Sequence, residues 1–193
     1  MKPDAATLSG AVLAGGYSTR MGRDKARLSV AGEPLWRRQR RVLAAAGAGR
    51  VVFALRAGQR RFAPGLEVVR DTWSGIGPLA GLHAALADCR TEWLAAVAVD
   101  LPRVEAEWFR RLARECGPGR GAVGVNADGF FEPFAAIYPR AVQVELARAE
   151  RSGRHSLQPV LRALVRAGRM RAVRISARAA NGLLNWNSGP LPE

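Results

Sequence analysis

Apolar runs of strand length alternate with segments of helical periodicity along most of this chain, an order that few architectures accommodate. Strands are predicted at 8–14, 51–55, 66–70, 94–99, 121–125 and 133–138, with a seventh at 171–175. Between the first two, Leu35, Gln39, Val42, Leu43 and Ala46 fall on one helical stripe, opened by Pro34 and closed before Gly47. Leu79, Leu82 and Leu86 form a second stripe behind Gly77 and Pro78. Val104, Trp108, Phe109 and Leu112 form a third, with Glu105 and Glu107 in its first turn, where acids oppose the helix dipole favourably. Two further helices are predicted near 139–151 and 156–167. The order reads as βαβ throughout, which implies a three-layer α/β/α fold with a mostly parallel, Rossmann-like sheet. With 193 residues and 48% hydrophobic content, the chain suits a single domain over 1–193.

In an open sheet of this kind ligands bind beyond the carboxyl ends of the strands. Three features sit there: the loop after the first strand, Asp71 after the third and Asp100 after the fourth. The loop belongs to the segment LAGGYSTRMGRDK, residues 13–25, with Gly15, Gly16 and Gly22, hydroxyls at Ser18 and Thr19, and cations at Arg20 and Lys25. Glycines let backbone N–H groups approach a polyphosphate, and the cations neutralise charge that builds on departing oxygens. A nucleoside triphosphate is the natural guest. The segment is not a P-loop, because Ala26 follows Lys25 where Ser or Thr would ligate magnesium, and its glycines do not make GxGxxG.

The net charge of +14 raises nucleic acid as a partner, but the cations are scattered without interleaved aromatic residues, so an arginine-biased solvated surface is the better reading. Of the 30 basic residues only Lys2, at the frayed end, and Lys25 are lysine; the other 28 are arginine. A chain that writes nearly every cation as arginine keeps a compact ammonium at Lys25, the form of charge suited to a phosphate. Apolar stretches fall short of the roughly 18–20 residues that span a bilayer, and the start reads as a strand, not a signal peptide. Cys89 and Cys116 show no metal or disulfide spacing. A cytoplasmic protein, without nucleic-acid or membrane partners, is expected.

The motif GG-x-S-x-R-M-G-x-D-K after a first strand resembles the signature of the MobA-type molybdenum cofactor guanylyltransferases, within the sugar-nucleotide-type nucleotidyltransferases. Asp71 with Gly77-Pro78-Leu79-Ala80-Gly81, Val99-Asp100-Leu101-Pro102, the stretch from Glu132 to Tyr138 and Gly153-Arg154-His155-Ser156-Leu157 are similar to that family's later blocks, so nearly the whole chain is covered. The chain departs from the family at its end, where only Asn185 and Asn187 match the N-x-N tail. Glu132 stands where glutamine is usual, and Arg56 follows the second strand where relatives carry asparagine.

The resemblance implies transfer of GMP from GTP to the terminal phosphate of molybdenum-loaded molybdopterin, with Mg²⁺ as cofactor. It implies Arg20, Lys25 and Asp100 as catalytic residues, Asp100 also holding the metal. Leu13, Ala14, Gly15, Gly16, Lys25, Asp71, Gly77 and Asp100 would bind GTP, and Asn185 and Asn187 the acceptor. The expected partners are these two substrates, with transient contacts to other cofactor-biosynthesis proteins and a monomeric or weakly homo-oligomeric chain. A cytidylyl or sugar-phosphate nucleotidyltransferase of the same fold, or an inactive nucleotide-binding adaptor, are the alternatives. His83 reads as a hydrogen-bonded core or pocket-wall residue, and His155 as a helix cap or an acceptor contact. Trp36, Trp93 and Trp108 read as core, while Trp73 belongs to a loop beside the expected pocket.

Overall fold

A computed structural model describes residues 1–15, 25–60, 62–70, 78–152 and 156–186. In chain order they form β1 (Leu8–Leu13), a 3₁₀ turn at Lys25–Arg27, a small hairpin of β2 (Ser29–Val30) and β3 (Glu33–Pro34), α1 (Leu35–Ala45), β4 (Arg50–Leu55) and β5 (Val68–Arg70). Then come α2 (Pro78–Asp88), β6 (Trp93–Ala98), α3 (Ala106–Glu115), β7 (Gly121–Val125) and β8 (Phe131–Pro139). A 3₁₀ turn at Arg140–Val142 leads into α4 (Gln143–Arg151), followed by α5 (Leu157–Arg166), β9 (Met170–Arg174) and α6 (Ala177–Gly182).

Seven strands make one sheet in the order β5-β4-β1-β6-β8-β7-β9. The β4–β5, β1–β4, β1–β6 and β7–β9 pairs are parallel, and only β8 runs against its neighbours. Alternation along the strands sorts the core into two faces, as a pleat requires. Trp93, Ala95 and Val97 of β6 join the cluster under α1 and α3, which includes Leu35, Leu43 and Phe109. Leu94 and Ala96 join the opposite cluster with Leu82, Leu86, Leu146 and Leu161 of α2, α4 and α5. The three-layer expectation is met. Phe109 is fully buried, so truncating it to alanine would cost about 3–5 kcal/mol.

The βαβ reading fails at two connections. A loop, not a helix, joins β4 to β5, and β7 turns directly back into β8. The second turn has local chemistry that the sequence displays: Asn126-Ala127-Asp128-Gly129, with Gly129 at φ +80° and Asn126 exchanging backbone and side-chain hydrogen bonds with Phe130. This hairpin is what makes β8 antiparallel, and it sets the start of β8 beside the carboxyl end of β6.

Several basic side chains are tied to the molecule's own backbone. Arg110 donates to Ala45 O, Arg111 to Arg174 O and Arg70 to Arg56 O and Gln59 O. Lys2, expected at a frayed end, donates instead to the carbonyls of Arg114 and Cys116 at the C-terminus of α3, where the dipole favours a cation. Among the described residues no helix is long and apolar enough to cross a membrane.

Candidate functional site

β1 ends at Leu13 in the middle of the sheet, between β4 and β6, with Ala14 and Gly15 just beyond it. Leu13 O accepts from Val99 N at 3.1 Å and Ala14 N donates to Ala54 O at 3.0 Å, so the ladder holds the strand to its last residue. Gln59 then reaches across from the β4–β5 loop. Its Nε2 donates to Ala14 O at 3.1 Å, while its Oε1 accepts from Arg56 N at 3.3 Å. Gly15 follows directly. A Cβ there would lie 3.1 Å from Arg56 N and 3.5 Å from Leu55 C, so glycine permits a close approach of two backbones at the mouth of the loop.

Asp100 follows β6 by two residues, and its turn is held from three directions. Trp186 N donates to Asp100 O at 2.8 Å, the buried Gln39 donates through Nε2 to Leu101 O at 2.7 Å, and Arg38 donates to Pro102 O. Three successive carbonyls are thus satisfied by α1 and the C-terminal segment, which fixes where the Asp100 carboxylate can go. Lys25 Nζ lies 3.1 Å from Asp100 Oδ2, with 19% and 23% of the two side chains exposed. The structure therefore joins two of the expected site residues, far apart in sequence, at the carboxyl edge of the sheet.

A second carboxylate shares this edge. The carboxyl of Glu132, the second residue of β8, is pushed up to about 7, first by burial and further by the charge of Asp100, while a hydrogen bond from Phe134 N to its Oε1 works the other way. Oxygen ligands of this kind suit a hard divalent cation. Among the described residues no three His, Cys, Asp or Glu side chains cluster; Mg²⁺ is commonly held by one or two carboxylates and completed by substrate phosphates and water.

On the other side of the Asp100 turn lies a cavity of about 510 Å³, whose wall includes Arg38, Arg103, Trp108, Arg111, Arg178 and Asn181. Arg38 belongs to both features. From this cavity the chain runs through the buried Leu183 to the exposed Asn185, next to Trp186, whose N–H reaches Asp100 O. Gln39, Arg38, Gln59 and Trp186 carry no motif. The visible hint is Gln39, a polar residue on an otherwise apolar helical stripe.

His83 is tied to α4, with Gln143 Nε2 2.9 Å from His83 Nε2, in keeping with a structural role. Trp36, Trp93 and Trp108 are buried, Trp93 and Trp108 donating through Nε1 to Arg120 O and Ala135 O. Gly81, in α2, faces the sheet, where a Cβ would lie 3.4 Å from Ala54 Cβ. Gly16, Arg20, Asp71, Trp73, Gly77, His155 and Asn187 lie outside the described residues.

The sequence model of the MobA-like NTP transferase domain matches residues 10–170. A probable molybdenum cofactor guanylyltransferase of Opitutus terrae is 49% identical over 190 residues, covering 97% of this chain and 94% of that protein. Molybdopterin-guanine dinucleotide biosynthesis protein A from Archaeoglobus fulgidus has the same fold, with a TM-score of 0.70 over 94% of this chain and 92% of that one at 20% identity. A Mycobacterium tuberculosis protein solved in complex with manganese aligns with a TM-score of 0.59 at 25% identity over 89% of each chain.

Proposed function

This chain belongs to the MobA-like NTP transferase family, and we propose that it transfers GMP from GTP to the terminal phosphate of molybdenum-loaded molybdopterin, releasing pyrophosphate. The observation that carries the reading is the Lys25–Asp100 pair at the carboxyl edge of the sheet, the edge at which Gly15 also follows β1. A compact cation for phosphate and a carboxylate for a metal are what nucleotidyl transfer requires at one point.

Asp100 would hold Mg²⁺, which when bound supplies charge neutralisation on the triphosphate and the departing pyrophosphate. The manganese in the Mycobacterium tuberculosis relative supports a divalent cation in this fold. Lys25 contributes a positive charge to the triphosphate, and its pairing with Asp100 keeps the ammonium oriented before nucleotide arrives. Gly15 lets the chain beyond Leu13 and Ala14 pass close to the Arg56 backbone at the mouth of the loop that would receive the nucleotide. Gly16, Arg20, Asp71 and Gly77 complete the GTP contacts in this reading, on the strength of the sequence motif alone. Preorganisation of the Asp100 turn by Gln39, Arg38 and Trp186 serves in-line attack, because the protein's work in such reactions is to position and neutralise.

The acceptor brings its own phosphate. The arginine-lined cavity, with Asn185 two residues beyond Leu183 of its wall, fits an anionic, hydrogen-bonding molecule, and Asn187 would act with Asn185. Residues 1–193 act as one domain in the cytoplasm on this reading, which agrees with the free thiols of Cys89 and Cys116. The test is a turnover assay with GTP, CTP and UTP against molybdenum-loaded molybdopterin, reading pyrophosphate and the dinucleotide product. Product from GTP that vanishes with EDTA and returns with Mg²⁺ is expected; preference for CTP or UTP, or no product, would overturn the assignment.

A further inference from the structure

Arg56-Ala57-Gly58-Gln59 forms a tight turn directly after β4, closed by Gln59 N donating to Arg56 O at 3.2 Å, with Gly58 at φ +75°. Arg70 of β5 staples the turn, donating through Nη1 to both corner carbonyls, Arg56 O at 3.1 Å and Gln59 O at 2.9 Å. The turn folds the half-buried Gln59 side chain back onto the end of its own strand. There Nε2 donates to Ala14 O at 3.1 Å and Oε1 accepts from Arg56 N at 3.3 Å. In the parallel β1–β4 register, the bond from Ala14 N to Ala54 O is one half of a rung whose other half would run from Arg56 N to Ala14 O. That second half is absent, and the Gln59 amide supplies a partner to each of its two groups.

The effect reaches Gly15 through the peptide bond. A trans peptide is planar with its C=O and N–H on opposite sides, so anchoring Ala14 O toward β4 aims the Gly15 N–H toward β6, the strand that Asp100 follows. Among the described residues no acceptor takes this N–H. We propose that Gln59 is a positioning residue for the nucleotide: it fixes the Ala14–Gly15 peptide so that the Gly15 N–H stands ready as a donor to bound GTP. The inference rests on the reading that GTP binds at this loop, and adds to it a residue that belongs to no motif. The loop between β4 and β5 also braces the chain beyond Lys25. Its Phe62 stacks on Trp36, with centroids 6.4 Å apart, and lies 5.9 Å from the Arg27 guanidinium. One stapled loop thus touches the chain on both sides of the glycine-rich segment, and a donor held in place before binding spares the complex the cost of ordering it.

The experiment is calorimetric titration of the full-length protein with GTP and Mg²⁺, alongside steady-state pyrophosphate release, for wild type, Gln59→Met and Gln59→Ala. Methionine keeps the reach of the side chain and removes both amide bonds, whereas alanine removes bonds and reach together. Urea unfolding of each variant separates positioning from folding. Both variants should raise Kd and KM for GTP by about tenfold, the scale of one hydrogen bond lost from the complex. At saturating GTP kcat should be kept, because Lys25 and Asp100 are untouched. A purely structural role would lower the urea midpoint and leave the GTP affinity of the folded protein alone. Wild-type GTP affinity in Gln59→Met would overturn the role of the amide, as would a fall in kcat at unchanged affinity. Failure of wild type itself to bind GTP would overturn the nucleotide reading and this inference with it.

Discussion

Replacing Gln39 with leucine separates stability from positioning, because the two halves of its amide have opposite fates. The residue is fully buried; Nε2 donates to Leu101 O at 2.7 Å, and Oε1 has no partner among the described residues. Leucine strips the buried Leu101 carbonyl of this donor, a loss of about 1–3 kcal/mol. It also removes a buried amide oxygen without a hydrogen bond, whose desolvation costs a similar amount, about 1–3 kcal/mol. The terms offset, so Gln39→Leu should unfold in urea within about 1 kcal/mol of wild type, whereas Gln39→Ala, which leaves a cavity, should lose about 2 kcal/mol or more. Activity should not be spared. One of three anchors of the Asp100 turn is gone, and a misplacement of about 1 Å can cost roughly 100-fold, so a drop in kcat of about 10- to 100-fold is expected from steady-state pyrophosphate release. A stability loss above about 2 kcal/mol for Gln39→Leu would show that the offset is absent. Unchanged kcat at equal stability would show that Gln39 does not position the turn.

Lys25→Arg should keep the fold but lose about tenfold or more in kcat, because a planar fork does not replace a compact ammonium 3.1 Å from Asp100; wild-type turnover would refute the lysine argument. Gly15→Ala should lower kcat/KM for GTP by roughly 10- to 200-fold, since the added Cβ presses on the backbone at Arg56 and Leu55, and a calorimetric GTP affinity equal to wild type would contradict it. Burial pushes the Cys116 thiol up to about 12, so in a Cys89→Ser background Cys116 should resist a thiol reagent at pH 8 until denaturant is added; stoichiometric labelling of the native protein would contradict its burial.

The fold was largely legible because its signals are local. Every predicted strand is present to within two or three residues, and the stripes of Leu35, Leu79 and Trp108 each became a helix packed on the sheet. The misreading at β7–β8 came from extending βαβ order past Asp128-Gly129, whose turn chemistry competes with a crossover. The short α6 (Ala177–Gly182) was also missed: it buries no residue, so it has no apolar stripe to read, and its visible signal is the Ser176 cap on Ala179 N.

The site was legible only where a residue type announces its chemistry. Lys25 stood out against an arginine-rich background, and Asp100 by ending a strand before Pro102. What holds them was not legible, because a bond from Gln39 to Leu101 or from Trp186 to Asp100 depends on how α1 and the C-terminal segment lie across the sheet edge, and sequence spacing does not carry that. The hairpin at 126–130 also shapes this edge of the sheet. By reversing β8 it brings the amino-terminal half of that strand beside the carboxyl end of β6, whereas a crossover helix into a parallel β8 would have brought the strand's other end there.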